Sequence, residues 1–411
     1  MGKFSEVTAQ EANPKWADII KRERKLYKRY KDPRDEFVRD FNRILHCTAY
    51  RRLKNKTQVF FASENDHICT RIEHVNHVLA ISHTIGKSLG LNTELTDAIA
   101  IGHDLGHAPF GHEGETILNS IADKKCGEKF WHEKNSLWFA DNIETLPDPG
   151  NQHRNLTLTY AVRDGIISHC GEVEEEPIRP RDDAIDLYDI SAPNEVQPFT
   201  WEACVVKYAD KIAYIGRDIE DAVTLGIISP SKFNTLSTRY QHLIPYNFLS
   251  QKETINNTAL IHTFILDLCK SSSPKSGIRF SPKRLKLMKE LRDFSNNEIY
   301  KHPRLEYFKK FSKLVLGSIF KVLSSCYDDS NTLEVIDSNL QSYPELGKEF
   351  RDWLIKYTDI RKDMKMEKGY KNRVVYKMNK REDYLGSVIS FISGMTDRYA
   401  LRVFDELTRF L

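Results

Sequence analysis

Apolar residues recur at three- and four-residue steps through most of the chain. In 71–89, Ile72, Val75, Val78, Leu79 and Ile85 follow that rhythm, with Ser82 on the same stripe. This is the period of a helix with one buried face. Asn92 or Thr93 can cap a following helix that runs through TELTDAIAIGHDLGH and that Pro109 ends. The same period predicts helices over 130–145, 156–170, 201–225, 283–300, 304–326 and 384–410. Strand patterns are few and short. The expected fold class is all-α, with a helical core and a helical C-terminal part.

Two stretches break the rhythm. Residues 172–199 hold four prolines and many acids and read as a surface excursion between helices. Residues 271–282, SSSPKSGIRFSP, read as a mobile loop. The expected division is a basic, helical N-terminal segment (1–33), a core (34–230) and a helical C-terminal part that packs on it (231–411).

Composition narrows the class. The 411 residues are long enough for a sizeable core, and a net charge of +3 is too small to argue for nucleic acid. Lys and Arg do concentrate in 21–34 and 361–381, as solvated helix faces or as sites for anions. Seven scattered cysteines without a CxxC pair argue against a disulfide framework or a zinc ribbon, and fit a reducing compartment. No apolar leader and no run of 18 apolar residues is present, so a cytoplasmic protein without a membrane partner is expected.

Histidine usage changes the picture most. Eleven of the 14 histidines lie between His46 and His169. GHDLGHAPFGHEGE (102–115) sets His103, Asp104, His107, His112, Glu113 and Glu115 among four glycines and a proline. A lone histidine on an apolar helix is usually a packing residue. Six ionisable groups in thirteen positions, with glycines that allow close backbone approach, point to a metal or catalytic site. His103 and His107, four apart, share one face of the expected helix. His74 and His77 lie on the helix before, and Asp210, Asp218 and Asp221 on one after. Mixed imidazole and carboxylate from neighbouring helices suits Mn, Fe, Zn, Co or Ni.

At these residues the chain resembles a known family. His74, His103-Asp104 and Asp210 follow the H…HD…D order of HD-superfamily phosphohydrolases. RILHCTAYRRLKNKTQVF (43–60), TRIEH (70–74), HDLGHAPFGHEGE (103–115), FWHEKNS (130–136), NLTLTYAVRDGIISH (155–169), ADKIAYIGRDIEDA (209–222) and ISGMTDRYA (392–400) are similar to motifs of the deoxyguanosine triphosphate triphosphohydrolase family. The resemblance implies an HD-domain helical core that cleaves deoxynucleoside triphosphates, dGTP or several dNTPs, to deoxynucleoside and tripolyphosphate. It implies a divalent metal ion (Mn, Mg, Fe, Co, Ni or Zn) on His74, His103, Asp104 and Asp210. His107, His112, Glu115 and His132 would be catalytic, with His112 paired to Glu115 near the scissile bond. Arg71 and Lys211 would meet phosphate oxygens, and Gln58, Tyr214 and Asp218 the sugar. Arg292 and Tyr300 resemble a later helix that contacts phosphate and sugar. A homo-oligomer (tetramer or hexamer), and a nucleotide activator or single-stranded DNA as further partners, belong to the same expectation. Val75 and Ala108 depart from the usual Ser and Pro. Two rival readings are an HD phosphohydrolase of another nucleotide and a nucleic-acid-binding regulator that keeps the pocket as a sensor. His112, Glu115 and His132 argue against a pure sensor.

Overall fold

The computed structural model describes residues 2–27, 30–61, 65–169, 177–240 and 256–409. Helix covers 63% and strand 4% of the described residues, so the fold is all-α.

Among its described residues the N-terminal segment, expected to be helical, holds one helical turn, α1 (Trp16–Ile19), amid turns, bends and extended backbone. It carries no sustained apolar stripe to bury. Residues 2–9 lie instead against the core. Glu202, fully buried, accepts hydrogen bonds from Thr8 Oγ1 (2.8 Å), Ala9 N (2.9 Å) and Asn92 N (3.1 Å).

The core is built on α2 (Glu36–His46), α3 (Thr48–Arg52), α4 (Arg71–Leu89), α5 (Thr93–Gly102), α6 (Gly111–Cys126), α7 (His132–Trp138), α8 (Tyr160–Ser168) and α9 (Trp201–Thr224). Local chemistry sets their starts. The Glu73 carboxylate accepts from the Thr70 amide (2.7 Å) and hydroxyl (2.9 Å), which fixes the start of α4. Asn92 caps α5 through Leu95 N, and Thr200 caps α9 through Ala203 N. Helix α4 packs on α5 and α9, while α2 and α8 cover α5. Between α7 and α8, β1 (Thr145–Pro147) and β2 (His153–Asn155) form an antiparallel hairpin in which Thr145 faces Asn155.

After α9 the described residues hold α10 (Pro230–Tyr240), α11 (Asn257–Ser271), α12 (Pro282–Ser295), α13 (Pro303–Ser324), α14 (Thr332–Asn339), α15 (Pro344–Tyr357), α16 (Lys362–Glu367), α17 (Arg381–Ser393) and α18 (Asp397–Thr408). Helices α11 and α12 pack on α9 and join its hydrophobic cluster. A second cluster joins α6 to α13, α15, α17 and α18 through residues such as Leu118, Ile319, Phe350 and Val388.

Four expectations differ in detail. Helix α5 stops at Gly102, and His103–Gly106 form a turn, so His107 does not lie one helical turn above His103. The stretch expected as one helix over 384–410 breaks at 394–396, where Thr396 caps a new helix through Tyr399 N (3.1 Å). The described part of the 172–199 excursion, from Pro177 on, is not merely on the surface. Ile178, Leu187, Ile190 and Phe199 are buried, and Ile178 bridges Ile278. The 271–282 loop is tied down as well. Ser273 bridges Gly277, and Ile278 and Phe280 are buried.

Candidate active site and metal centre

The packing of α4 on α9 brings His74, near the start of α4, against Asp210, in the middle of α9. His74 Nε2 lies 3.0 Å from Asp210 Oδ1. The end of α5 brings in His103, whose ring centroid is 5.5 Å from that of His74. His103, 1% exposed, gives its Nδ1 proton to Ala100 O (2.7 Å), while its Nε2 has no hydrogen-bond partner. Nδ1 therefore carries the proton, and the Nε2 lone pair points inward. A buried imidazole oriented this way is fitted to ligate a cation. One ligand atom from each of His74, His103 and Asp210 lies within 4.8 Å of the others, and the same holds for His103, Asp104 and His169. Asp104 lies 3.6 Å from His103 Nε2 and 2.6 Å from Arg71 Nη1. The residues present fit a divalent cation.

A second cluster adjoins the first. His107, on the turn after α5, stacks on His132, the first residue of α7, with centroids 4.6 Å apart. The turn and α7 come this close because Gly106 has no side chain: a Cβ there would fall 2.2 Å from the Asn135 carbonyl carbon. Gly114 likewise lets α6 start against the turn, since a Cβ would lie 1.8 Å from Pro109 O. The start of α6 then presents His112 and Glu115. Glu115 Oε2 sits 3.3 Å from His112 Nδ1 and 3.1 Å from His132 Nδ1, and Oε1 accepts from His132 N (3.0 Å).

The charges differ from one histidine to the next. Burial opposes protonation of His132, but Glu133 (3.3 Å) and Glu115 outweigh it and push its pKa up to about 10. His132 is thus a standing cation at neutral pH. Burial, reinforced by Arg71 and His132, holds His107 well below the usual imidazole range, so it is neutral. Burial would raise Glu115, yet His132 and the bonds from both rings keep it far below the ordinary carboxylate range. Asp104 is held down against burial by Arg71 and His103, and Asp210 against burial by His74. His112, with a side chain 65% exposed, faces the cavity as the accessible member.

Both clusters open on one cavity of about 710 Å³. Gln58, Arg71, Lys211, Tyr214, Asp218, Arg292 and Tyr300 all line it. Tyr300 Oη donates to Asp218 Oδ2 (2.6 Å), and burial pushes the Asp218 carboxyl up to about 6 despite that bond. Arg71, 2% exposed, spends three donors on Asp104, Thr57 O (3.2 Å) and Gln58 O (3.0 Å). His77 and Asp221 do not line the cavity. Asp221 accepts from Cys69 N (2.9 Å) and pairs with Arg217.

His169, Pro193 and Asn194 line the cavity but carry no role in the sequence reading. His169 stands 4.9 Å from the His103 ring and gives its Nδ1 proton to Ile166 O, as His103 does to Ala100. Its only signal was its place at the end of NLTLTYAVRDGIISH. Pro193 and Asn194 lie in the acidic, proline-rich excursion, where no pattern marks them.

Comparison with known proteins agrees with this geometry. The HD domain matches residues 71–215, which span the segments that carry His74, His103, Asp104 and Asp210. A deoxyguanosinetriphosphate triphosphohydrolase-like protein of Clostridium tetani is 31% identical over 381 residues, covering 92% of this chain and 86% of the relative. One of Geobacter metallireducens is 30% identical over 94% of this chain and 92% of the relative. One of Desulfatibacillum aliphaticivorans is 35% identical over 70% of this chain and 73% of the relative. Adjacent His/Asp and His/Glu clusters in an HD domain, and relatives matched over most of their length, lead to one conclusion: the chain belongs to the deoxyguanosinetriphosphate triphosphohydrolase-like family and is an HD-domain phosphohydrolase.

Proposed function

We propose that the chain hydrolyses deoxynucleoside triphosphates, dGTP or several dNTPs, between the 5′ oxygen and the α-phosphorus. Water enters at phosphorus, the bond to the 5′ oxygen breaks, and the products are deoxynucleoside and tripolyphosphate. One observation carries the reading. A buried His/Asp set fit for a cation and a Glu-linked pair of histidines share a cavity with Lys211, Arg292 and the Tyr300–Asp218 pair. The name borne by the relatives supports the substrate class.

His74, His103, Asp104 and Asp210 would hold a divalent ion of the Mn, Mg, Fe, Co, Ni or Zn group. When bound, the ion polarises a phosphoryl oxygen and lowers the pKa of water. The side chains supply the rest. A triphosphate brings about four negative charges, and His132, Lys211, Arg292 and the unspent donors of Arg71 offset them. His107, neutral and buried, orients a phosphate oxygen without adding charge. The departing 5′ alkoxide needs a proton. His112 Nε2 delivers it, while Glu115 beside Nδ1 orients the ring. Gln58, Tyr214 and the Asp218–Tyr300 pair hold the deoxyribose.

The experiment is product chromatography with each of the four dNTPs, alone and mixed, with Mn or Mg. Tripolyphosphate with deoxynucleoside is expected. Monophosphate with pyrophosphate, or no turnover, overturns the reading. His112→Ala should lower kcat about 10²–10⁴-fold and leave metal content unchanged. Near-normal turnover moves the proton donor to His107 or His132. The reading carries with it a cytoplasmic tetramer or hexamer, checked by light scattering with and without nucleotide.

A further inference from the structure

We infer that Asp397, in the ISGMTDRYA segment, is a positioning residue that fixes the spacing between the backbone carrying the sugar-binding Gln58 and the backbone leading to the proton donor His112. The carboxylate is 3% exposed and stands between them. Oδ2 accepts from Thr57 N (2.8 Å), and Oδ1 accepts from Phe110 N (2.8 Å). Gln58 follows Thr57, and Gly111 and His112 follow Phe110. One carboxylate therefore sets the distance between the Gln58 wall and the start of α6.

Two hydrogen-bonded routes lead from it to the chemistry. The Thr57 carbonyl accepts from Arg71 Nε, and Arg71 Nη1 meets Asp104 at 2.6 Å. The other route is the Phe110 backbone. Phe110 has φ 65°, a left-handed conformation that L side chains rarely adopt. The Asp397 bond helps hold it there, with its ring set against Phe61 and Phe308. The neighbours of Asp397 grip the same turn. Lys56 Nζ donates to His107 O and Ser393 O, and Asn135 Nδ2 donates to Gly106 O and Ser393 Oγ. The break between α17 and α18 thus serves as a clasp on the turn that ends in His112.

The inference rests on His112 as proton donor under the proposed function, and its test separates the two. In Asp397→Asn the amide end presents N–H to a backbone N–H, so one of the two bonds is lost. Two rates are measured on the same manganese-loaded preparations: a dNTP, whose alkoxide needs a proton, and bis(p-nitrophenyl) phosphate, whose leaving group does not. A misplaced donor should cost about 10²-fold on the dNTP and under about threefold on the nitrophenyl ester. The ratio is independent of the folded fraction, so partial misfolding does not mimic the result. Asp397→Glu, which keeps both acceptors on a longer arm, should fall between. Parallel losses on both substrates in both variants, or no loss, overturn the inference. If wild type leaves the nitrophenyl ester intact, the pH profile decides. A lost alkaline limb in Asp397→Asn supports it, and an unchanged shape at lower amplitude overturns it. A wild type active on the nitrophenyl ester but on no dNTP refutes the substrate reading instead. Alkyl against nitrophenyl phosphodiesters then give the ratio that judges Asp397.

Discussion

Replacing Glu115 by Gln tests the ionic arrangement on which the proposed proton transfer depends. The carboxylate meets His132 Nδ1 at 3.1 Å and His112 Nδ1 at 3.3 Å. The amide keeps the shape, loses the charge and turns a donor toward a ring N–H. A hydrogen bond to a charged group contributes about 1.5–3 kcal/mol. At about 1.4 kcal/mol per pKa unit, losing it should lower His132 by roughly one to two units. Glu133, 3.3 Å from the same ring, still holds His132 above its ordinary value. The sign follows from linkage. His132 has a folded pKa of about 10 against an ordinary 6.5. Its protonation therefore stabilises the fold fully below the unfolded value, and that contribution, about 5 kcal/mol at most, fades as pH rises through the folded pKa. In Glu115→Gln the fading should finish one to two units lower. Thermal midpoints of metal-free wild type and variant between about pH 6 and pH 10 read this directly. The gap should be widest at the acid end and narrow toward the alkaline end. A gap that stays constant across the range refutes the assigned coupling.

Three further outcomes are expected. His103→Ala should abolish the rise in thermal midpoint that manganese gives wild type, a rise equivalent to about 3 kcal/mol at a hundredfold excess over Kd; an equal rise in the variant removes His103 from the ligand set. Arg71→Met leaves Asp104 buried without its cation and should cost about 3–5 kcal/mol near neutral pH. Because Asp104 is held low in wild type, that cost should shrink as falling pH protonates it, and urea titrations at two pH values check this. Glu202→Ala removes the acceptor for Thr8, Ala9 and Asn92 and should cost about 2–4 kcal/mol, with proteolysis opening residues 2–13 first; a protected N-terminus contradicts the tie.

What the sequence revealed follows the reach of its signals. His103 and Asp104 stand out because neighbouring ligand types among glycines have no ordinary packing use, and the helices that carry His74 and Asp210 have clear periodicity. Their approach to 3.0 Å is a property of how α4 crosses α9, which the pattern alone leaves open. The turn after Gly102 was less legible: TELTDAIAIGHDLGH reads as one helix, yet the backbone turns at His103–Gly106, against Asn135 and Ser136 of α7. Asp397 lies in the ISGMTDRYA motif, which by itself gives it no role. Its partner Phe110 is 287 positions away, and no local pattern can register a bond of that span. Pro193 and Asn194 were hidden for a similar reason, since proline and acid density marks a loop but not the surface the loop returns to.

The glycines at the crossings bear on any mutational survey of this protein. Gly106 and Gly114 bring no functional group to the site, yet a methyl at either would stand 2.2 Å or less from backbone atoms of a neighbouring segment. In a scan scored by activity, both should be as intolerant as His103 or Asp210. A map drawn from such scores alone would therefore credit chemistry to residues whose whole contribution is the absence of a side chain. Metal content measured on the same variants would tell the two kinds apart, because alanine at Gly114 should disturb the His112 side while leaving the four proposed ligands in place.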